Sequence, residues 1–184
     1  MKDFIAENDP ILRMKAEEVE FPLSQDLVKL TQDMREFLIN SQDDQKAKEL
    51  DLRPGVGLAA PQLGISKQIF VIYLMAYDDE ENPEGVIMDQ IFINPKLKSH
   101  AVQQVAISEG EGCLSVPRDV PGLVPRPKRV RLEYQDIDGN LQEIKLKDFE
   151  AIVVQHELDH LKGILFYDHI NPENPWDQTN IELI

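Results

Sequence analysis

The 184-residue chain is predicted to fold as one α+β domain, with antiparallel or mixed sheets packed around a central helix. Three features carry that expectation. Strand-like apolar runs come first, at residues 69–75, 91–94 and 130–146. A helix-patterned run comes directly after them: Phe149, Ile152, Val153, His156 and His160 fall at i, i+3, i+4, i+7 and i+11, one stripe that faces a core. At this length a single hydrophobic core suffices, and neither a repeat nor a long linker divides residues 1–184.

Residues 24–41 read as an amphipathic helix. Ser24 caps it, and Leu27, Leu30, Met34, Phe37 and Leu38 form its apolar stripe. Residues 69–75 are a continuous apolar strand, and 91–94 a shorter one. Between them residues 77–90, with Asp78, Asp79, Glu80, Glu81, Asn82 and Pro83, are expected to form a polar surface loop. Val130, Leu132 and Tyr134 alternate, then Asp138-Gly139 turns the chain into Ile144 and Leu146, a hairpin. The last helix begins with Asp148 as N-cap and stops at Gly163. Ile181, Leu183 and Ile184 end the chain as a strand packed on the protein's own sheet, since Pro172 and Pro175 forbid a continuous helix there.

Composition excludes several classes. Nineteen basic residues stand against 34 acidic ones, a net charge of −15. That argues against direct nucleic-acid binding, because a phosphate grip is built from clustered Lys and Arg. The one basic cluster, residues 125–131, reads as a solvated loop leading into a strand. No segment has the length or apolarity of a membrane span, and residues 1–10 lack the apolar stretch of a signal peptide. The single cysteine excludes an intrachain disulfide and fits a reducing cytoplasm.

The chemistry lies in the helix. His156-Glu157-Leu158-Asp159-His160 is an H-E-x-x-H pentapeptide. Residues four apart on a helix lie about 40° apart around the axis and ~6 Å along it. Both imidazoles can therefore close on one divalent metal, with Glu157 beside them as general base. The blander alternative is a pair of core histidines satisfied by ordinary hydrogen bonds. A third metal ligand is missing downstream: position 166 is Phe166, His169 comes three residues too late, and Glu173 and Glu182 sit in an aperiodic tail. Upstream, Glu109-Gly110-Glu111-Gly112-Cys113-Leu114-Ser115 offers Cys113, otherwise a small buried hydrophobe. A Cys-His-His set leaves one tetrahedral position open, the pattern of a catalytic metal. A third segment, Gly55-Val56-Gly57-Leu58-Ala59-Ala60-Pro61-Gln62, matches G-x-G-x-x-A. It lacks a preceding strand, and Pro61 interrupts the residues where a helix would have to open, so it is no dinucleotide fingerprint. Its glycines suggest backbone lying close against a ligand, and Gln62 offers a neutral amide suited to a developing oxyanion.

Taken together, G-V-G-L-A-A-P-Q, E-G-C-L-S and Q-H-E-L-D-H, in that order and spacing, resemble the three signature motifs of the peptide deformylases, and Asp9-Pro10-Ile11-Leu12-Arg13 extends the likeness toward the N-terminus. The extra residues in 40–53 and 77–90 resemble the longer, Gram-positive-type branch. The resemblance implies a cytoplasmic bacterial hydrolase that removes the formyl group from N-formylmethionyl nascent peptides and releases formate. It implies Cys113, His156 and His160 as ligands of one divalent metal, Fe²⁺ as native ion. The ligand types alone admit Zn²⁺, Ni²⁺ or Co²⁺ as well. Glu157 would take the proton of the attacking water, and Gln62 with the Leu114 backbone N–H would hold the oxyanion. The peptide would lie extended along Val56, Gly57 and Gly112, with the methionine side chain against Val56, Ile152 and Val153; ordinary core packing is the alternative for the last two. Without a basic C-terminal helix, ribosome contact is expected to be weak and transient, and no membrane contact is expected. Two other classes share parts of this pattern. A zincin-type metallopeptidase needs a downstream ligand, and an inactive metal-binding module would lack Glu157 or Gln62.

Overall fold

The computed structural model describes residues 4–77 and 83–184; residues 78–82 of the expected acidic loop lie outside them. The elements in chain order are α1 (Gln25–Ser41), α2 (Asp44–Leu50), β1 (Gly57–Ala59), β2 (Ile69–Tyr77), β3 (Pro83–His100), β4 (Gln104–Ala106), β5 (Arg126–Pro127), β6 (Arg129–Gln135), β7 (Leu141–Lys147), α3 (Asp148–His160) and β8 (Ile181–Leu183). Five strands form an antiparallel sheet in the order β1-β2-β3-β6-β7. Three more form a mixed sheet, β5-β4-β8, in which β4 and β8 run parallel.

The unbroken apolar run of β2 has a simple cause. Alternate side chains of a strand point to opposite faces, and here both faces are covered. Phe70, Ile72 and Leu74 join the core that contains Val153, Val154 and Leu158 of α3. Ile69, Val71 and Tyr73 face the other way, among Leu30, Met34, Phe37 and Leu38 of α1. The Ser24 side chain caps α1, accepting from the Leu27 N–H at 3.3 Å.

Three expectations need correction, and one helix is new. Residues 83–90 are not loop; they are the first half of β3, paired with β2. Only Met88 of residues 85–90 is buried, so the backbone ladder holds a stretch whose side chains show no strand pattern. Residues 44–50 form α2, a helix without one buried residue, capped by Asp43. At the start of α3 the N-cap is Lys147, which makes no side-chain cap bond, and Asp148 already lies inside the first turn with φ 50°. The hairpin feeds directly into the helix there, and the Asp148 N–H goes to the Lys128 carbonyl at 2.8 Å. Nor does α3 carry a one-sided stripe. Residues 151–155 and 157–160 are all buried, whereas Phe149 is 38% exposed, as befits a helix enclosed on nearly every side.

The stop at Gly163 and the closing strand stand where the sequence suggests, but the expected packing of that strand through Leu183 and Ile184 does not occur. Gly163, at φ 75°, closes the helix with paired bonds from its own N–H to His160 O and from Ile164 N to Asp159 O. The C-terminal segment is a strand, held mainly through its backbone. Ile184 N donates to Ala106 O at 3.0 Å and Ser108 N to Ile184 O at 2.9 Å, while the Leu183 and Ile184 side chains stay exposed.

Candidate metal centre

Helix α3 meets the loop of residues 109–115 at its histidine end. Cys113 Sγ lies 3.3 Å from His160 Nε2. Cys113, His156 and His160 each place one ligand atom within 4.8 Å of the others, the one such His/Cys/Asp/Glu group found among the described residues. The other candidates are occupied elsewhere: His169 Nε2 bonds Asp159 at 2.7 Å, and Glu182 pairs with Lys128. The set fits a divalent transition metal. One thiol and two imidazoles converge in a buried place, and His156 Nδ1 is held by Glu111, leaving its other ring nitrogen on the Cys113 side.

Gln62 lies against the same sulfur. It is 2% exposed, and its Nε2 donates to Cys113 Sγ at 3.4 Å. Its orientation is fixed from behind, because Oε1 accepts the Ala59 N–H at 2.8 Å. The amide NH₂ therefore points into the centre.

A network that the sequence did not reveal stands behind His156. Glu111 bonds His156 Nδ1 at 2.8 Å and binds Arg126 through both carboxylate oxygens, at 2.5 and 2.9 Å. Arg126 continues to Asp159 at 2.9 Å, and Asp159 to His169. Arg126 is 3% exposed, so the basic cluster at 125–131 is no solvated loop; its second residue is an interior cation in β5. A buried charge of this kind persists only when paired, and removing one partner typically costs ~3–5 kcal/mol. Burial works against ionisation of Glu111, but the charge of Arg126 and the bond to His156 outweigh it and hold the carboxyl low. Burial likewise opposes a charged His156, yet its bonds to Cys113 and Glu111 raise it well above the ordinary imidazole range. Burial and the charge of His156 push His160 the other way.

Glu157 occupies the cleft wall. It is 3% exposed, its Oε2 has no partner among the described residues, and burial pushes its carboxyl up to about 7. Gly57 explains how it fits. A Cβ at Gly57 would overlap Glu157 Oε1 and lie 2.8 Å from its carboxyl carbon. The close approach expected of this glycine is therefore made to Glu157. The cleft has a volume of about 500 Å³ and brings together Val56, Gly57, Gln62, Gly112, Cys113, Leu114, Ile152, Val153, His156 and Glu157. All but His160 of the residues singled out from the sequence line it. His160 lies behind, 1% exposed.

An α+β fold that sets a Cys-His-His group beside a cleft holding a buried glutamate has the arrangement of a metal-dependent hydrolase. The family model for polypeptide deformylase matches residues 1–176. The chain is 53% identical to the peptide deformylase of Enterococcus faecalis over 176 residues, 96% of this chain and 93% of that protein. To that of Listeria welshimeri it is 51% identical over 175 residues, 95% and 92% of the two. Among solved structures, the Thermotoga maritima peptide deformylase superposes with a TM-score of 0.70 at 33% identity, covering 94% of this chain and 99% of that one. A Met-Ala-Ser-bound peptide deformylase from Acinetobacter baumannii gives 0.71 at 29% identity, with 92% and 100% covered. The chain belongs to the polypeptide deformylase family, whose members are metalloenzymes.

Proposed function

We propose that residues 1–184 form one catalytic domain that hydrolyses the formyl group from N-formylmethionyl peptides, with Cys113, His156 and His160 as metal ligands. One observation carries the assignment of roles: three ligand atoms lie within 4.8 Å of one another, those of Cys113 and His156 on the cleft that also holds Glu157 and that of His160 just behind it. When bound, a divalent ion supplies an acidified water and polarises the formyl oxygen. Glu157 accepts a proton from the attacking water at its carboxylate and delivers it to the departing amine nitrogen, in a site where burial already favours holding a proton. The Gln62 NH₂ and the Leu114 backbone N–H donate to the oxyanion. β1 is the edge strand of its sheet and lies on the cleft, so an extended peptide can add beside Val56 and Gly57, opposite Gly112. The methionine side chain then meets Val56, Ile152 and Val153. The test is release of formate from formyl-Met-Ala-Ser. Cleavage at an internal peptide bond instead would return the chain to the metallopeptidases.

The native ion in this reading is Fe²⁺, with zinc, nickel and cobalt as workable substitutes at the same donors. The iron form should lose activity in air while the nickel form persists, because a ferrous ion and a thiolate are both open to oxidation. Equal lifetimes of the two forms in air would remove iron from the proposal.

The enzyme works in the bacterial cytoplasm in this reading; no helix among the described residues is long and apolar enough to cross a membrane. Contact with ribosomes is weak and transient. The C-terminal strand is committed to β4, and its Glu182 is committed to Lys128 and Gln103. Co-sedimentation at ~0.1 M salt should leave most of the protein in the supernatant. Stoichiometric pelleting that is lost on deleting residues 176–184, with the fold intact, would make the tail a docking element.

A further inference from the structure

We propose that Arg53 is a positioning residue for deformylation, acting through the Cys113–Leu114 peptide group. The inference rests on the reading of the Leu114 N–H as an oxyanion donor. Arg53 Nη1 donates to Leu114 O at 2.9 Å, and Nη2 to Cys113 O at 3.1 Å. Both distances are those of full hydrogen bonds, and a cationic donor makes them stronger than neutral ones. Two carbonyls one residue apart match the planar fork of a guanidinium, whereas an ammonium is a point donor.

The consequence falls on the far side of the peptide. In a planar trans peptide the N–H points opposite to the C=O. With the Cys113 carbonyl turned to Arg53, the Leu114 N–H is directed away from the guanidinium. A cation on the carbonyl also draws electron density from the amide and makes that N–H a better donor. The bond thus aims and strengthens the group that receives the oxyanion. The surroundings agree. A Cβ at Gly55 would sit 3.0 Å from Leu114 Cδ1, so the glycine two residues after Arg53 leaves room for Leu114, as Gly57 leaves room for Glu157. The short segment 53–57 therefore sets the positions of two groups on the cleft.

The nickel-loaded enzyme serves for kinetics and the zinc-loaded one for amide spectra. Arg53→Ala is expected to lower kcat about tenfold while KM stays within about twofold, the signature of an interaction made in the transition state. Metal per chain should be unchanged, and the Leu114 amide proton should shift upfield. Arg53→Lys, which also serves should the alanine variant not fold, should recover only part of kcat and part of the shift. A raised KM with unchanged kcat would make Arg53 a substrate contact, and loss of metal would make it scaffolding. Full recovery by lysine, or an unmoved Leu114 resonance, would remove the forked polarisation. Each of these overturns the proposal. Gln62→Ala separates it from the reading beneath it. A fall of roughly 10²–10³ in its kcat supports the oxyanion site whatever Arg53 does, and an unchanged kcat would remove that site together with this inference.

Discussion

Glu157→Gln is expected to keep the fold and the metal while losing ~10²–10⁴ in turnover, the range that a positioned proton carrier contributes. The amide is isosteric but cannot take a proton from water or return one to the leaving nitrogen. The fold should tolerate it, because the protein does not favour the charge it removes. Burial raises the Glu157 carboxyl from 4.5 to about 7. A group raised in this way binds its proton more tightly in the folded state, so its contribution to stability falls as pH climbs through that window. Glutamine abolishes that loss, and the metal-free variant should melt no lower than the parent at pH 8. Gly57→Ala should lose turnover from the opposite wall, since its methyl group would take the space of Oε1. Near-parental turnover in Glu157→Gln would sink the proton-carrying role.

How far the sequence could be read depends on how local each signal is. The i, i+4 histidines, the Ser24 cap and the Asp138-Gly139 hairpin are local, and each stands where its pattern puts it. Strand β2 was legible because burial on both faces leaves a continuous apolar run. The first half of β3 was not, since it is held by pairing with β2 and, of residues 85–90, only Met88 is buried. The same division holds at the site. Cys113, Gln62 and Glu157 stand in motifs whose residue types announce their chemistry. The chain from Glu111 through Arg126 and Asp159 to His169 does not, because it joins a motif glutamate, a strand arginine and a distant histidine that only the tertiary fold brings together. A sequence signal for Arg126 existed in the basic cluster, but clustered charge ordinarily means solvent, and burial of one member is a fact of packing. Arg53 was hidden for a related reason: its partners are backbone carbonyls, which leave no mark on residue type.

That network frames the second large effect. Cys113→Ala, His156→Ala and His160→Ala are each expected to lose the metal and with it the activity, because two remaining ligands hold a divalent ion poorly. His169→Ala should retain it. His169 stands at the outer end of the chain, bonded to Asp159 and separated from His156 by Arg126 and Glu111. Its loss leaves Asp159 still paired with Arg126, so neither buried carboxylate is stranded. The contrast matters because both His160 and His169 are histidines near Asp159, and a purely electrostatic role for the cluster would make them similar. Metal per chain after dialysis against a chelator, measured beside the circular dichroism of each variant, separates loss of a ligand from loss of the fold. One tightly bound ion per chain in Cys113→Ala would overturn the Cys-His-His assignment, and loss of the ion in His169→Ala would move the boundary of the centre outward to include it.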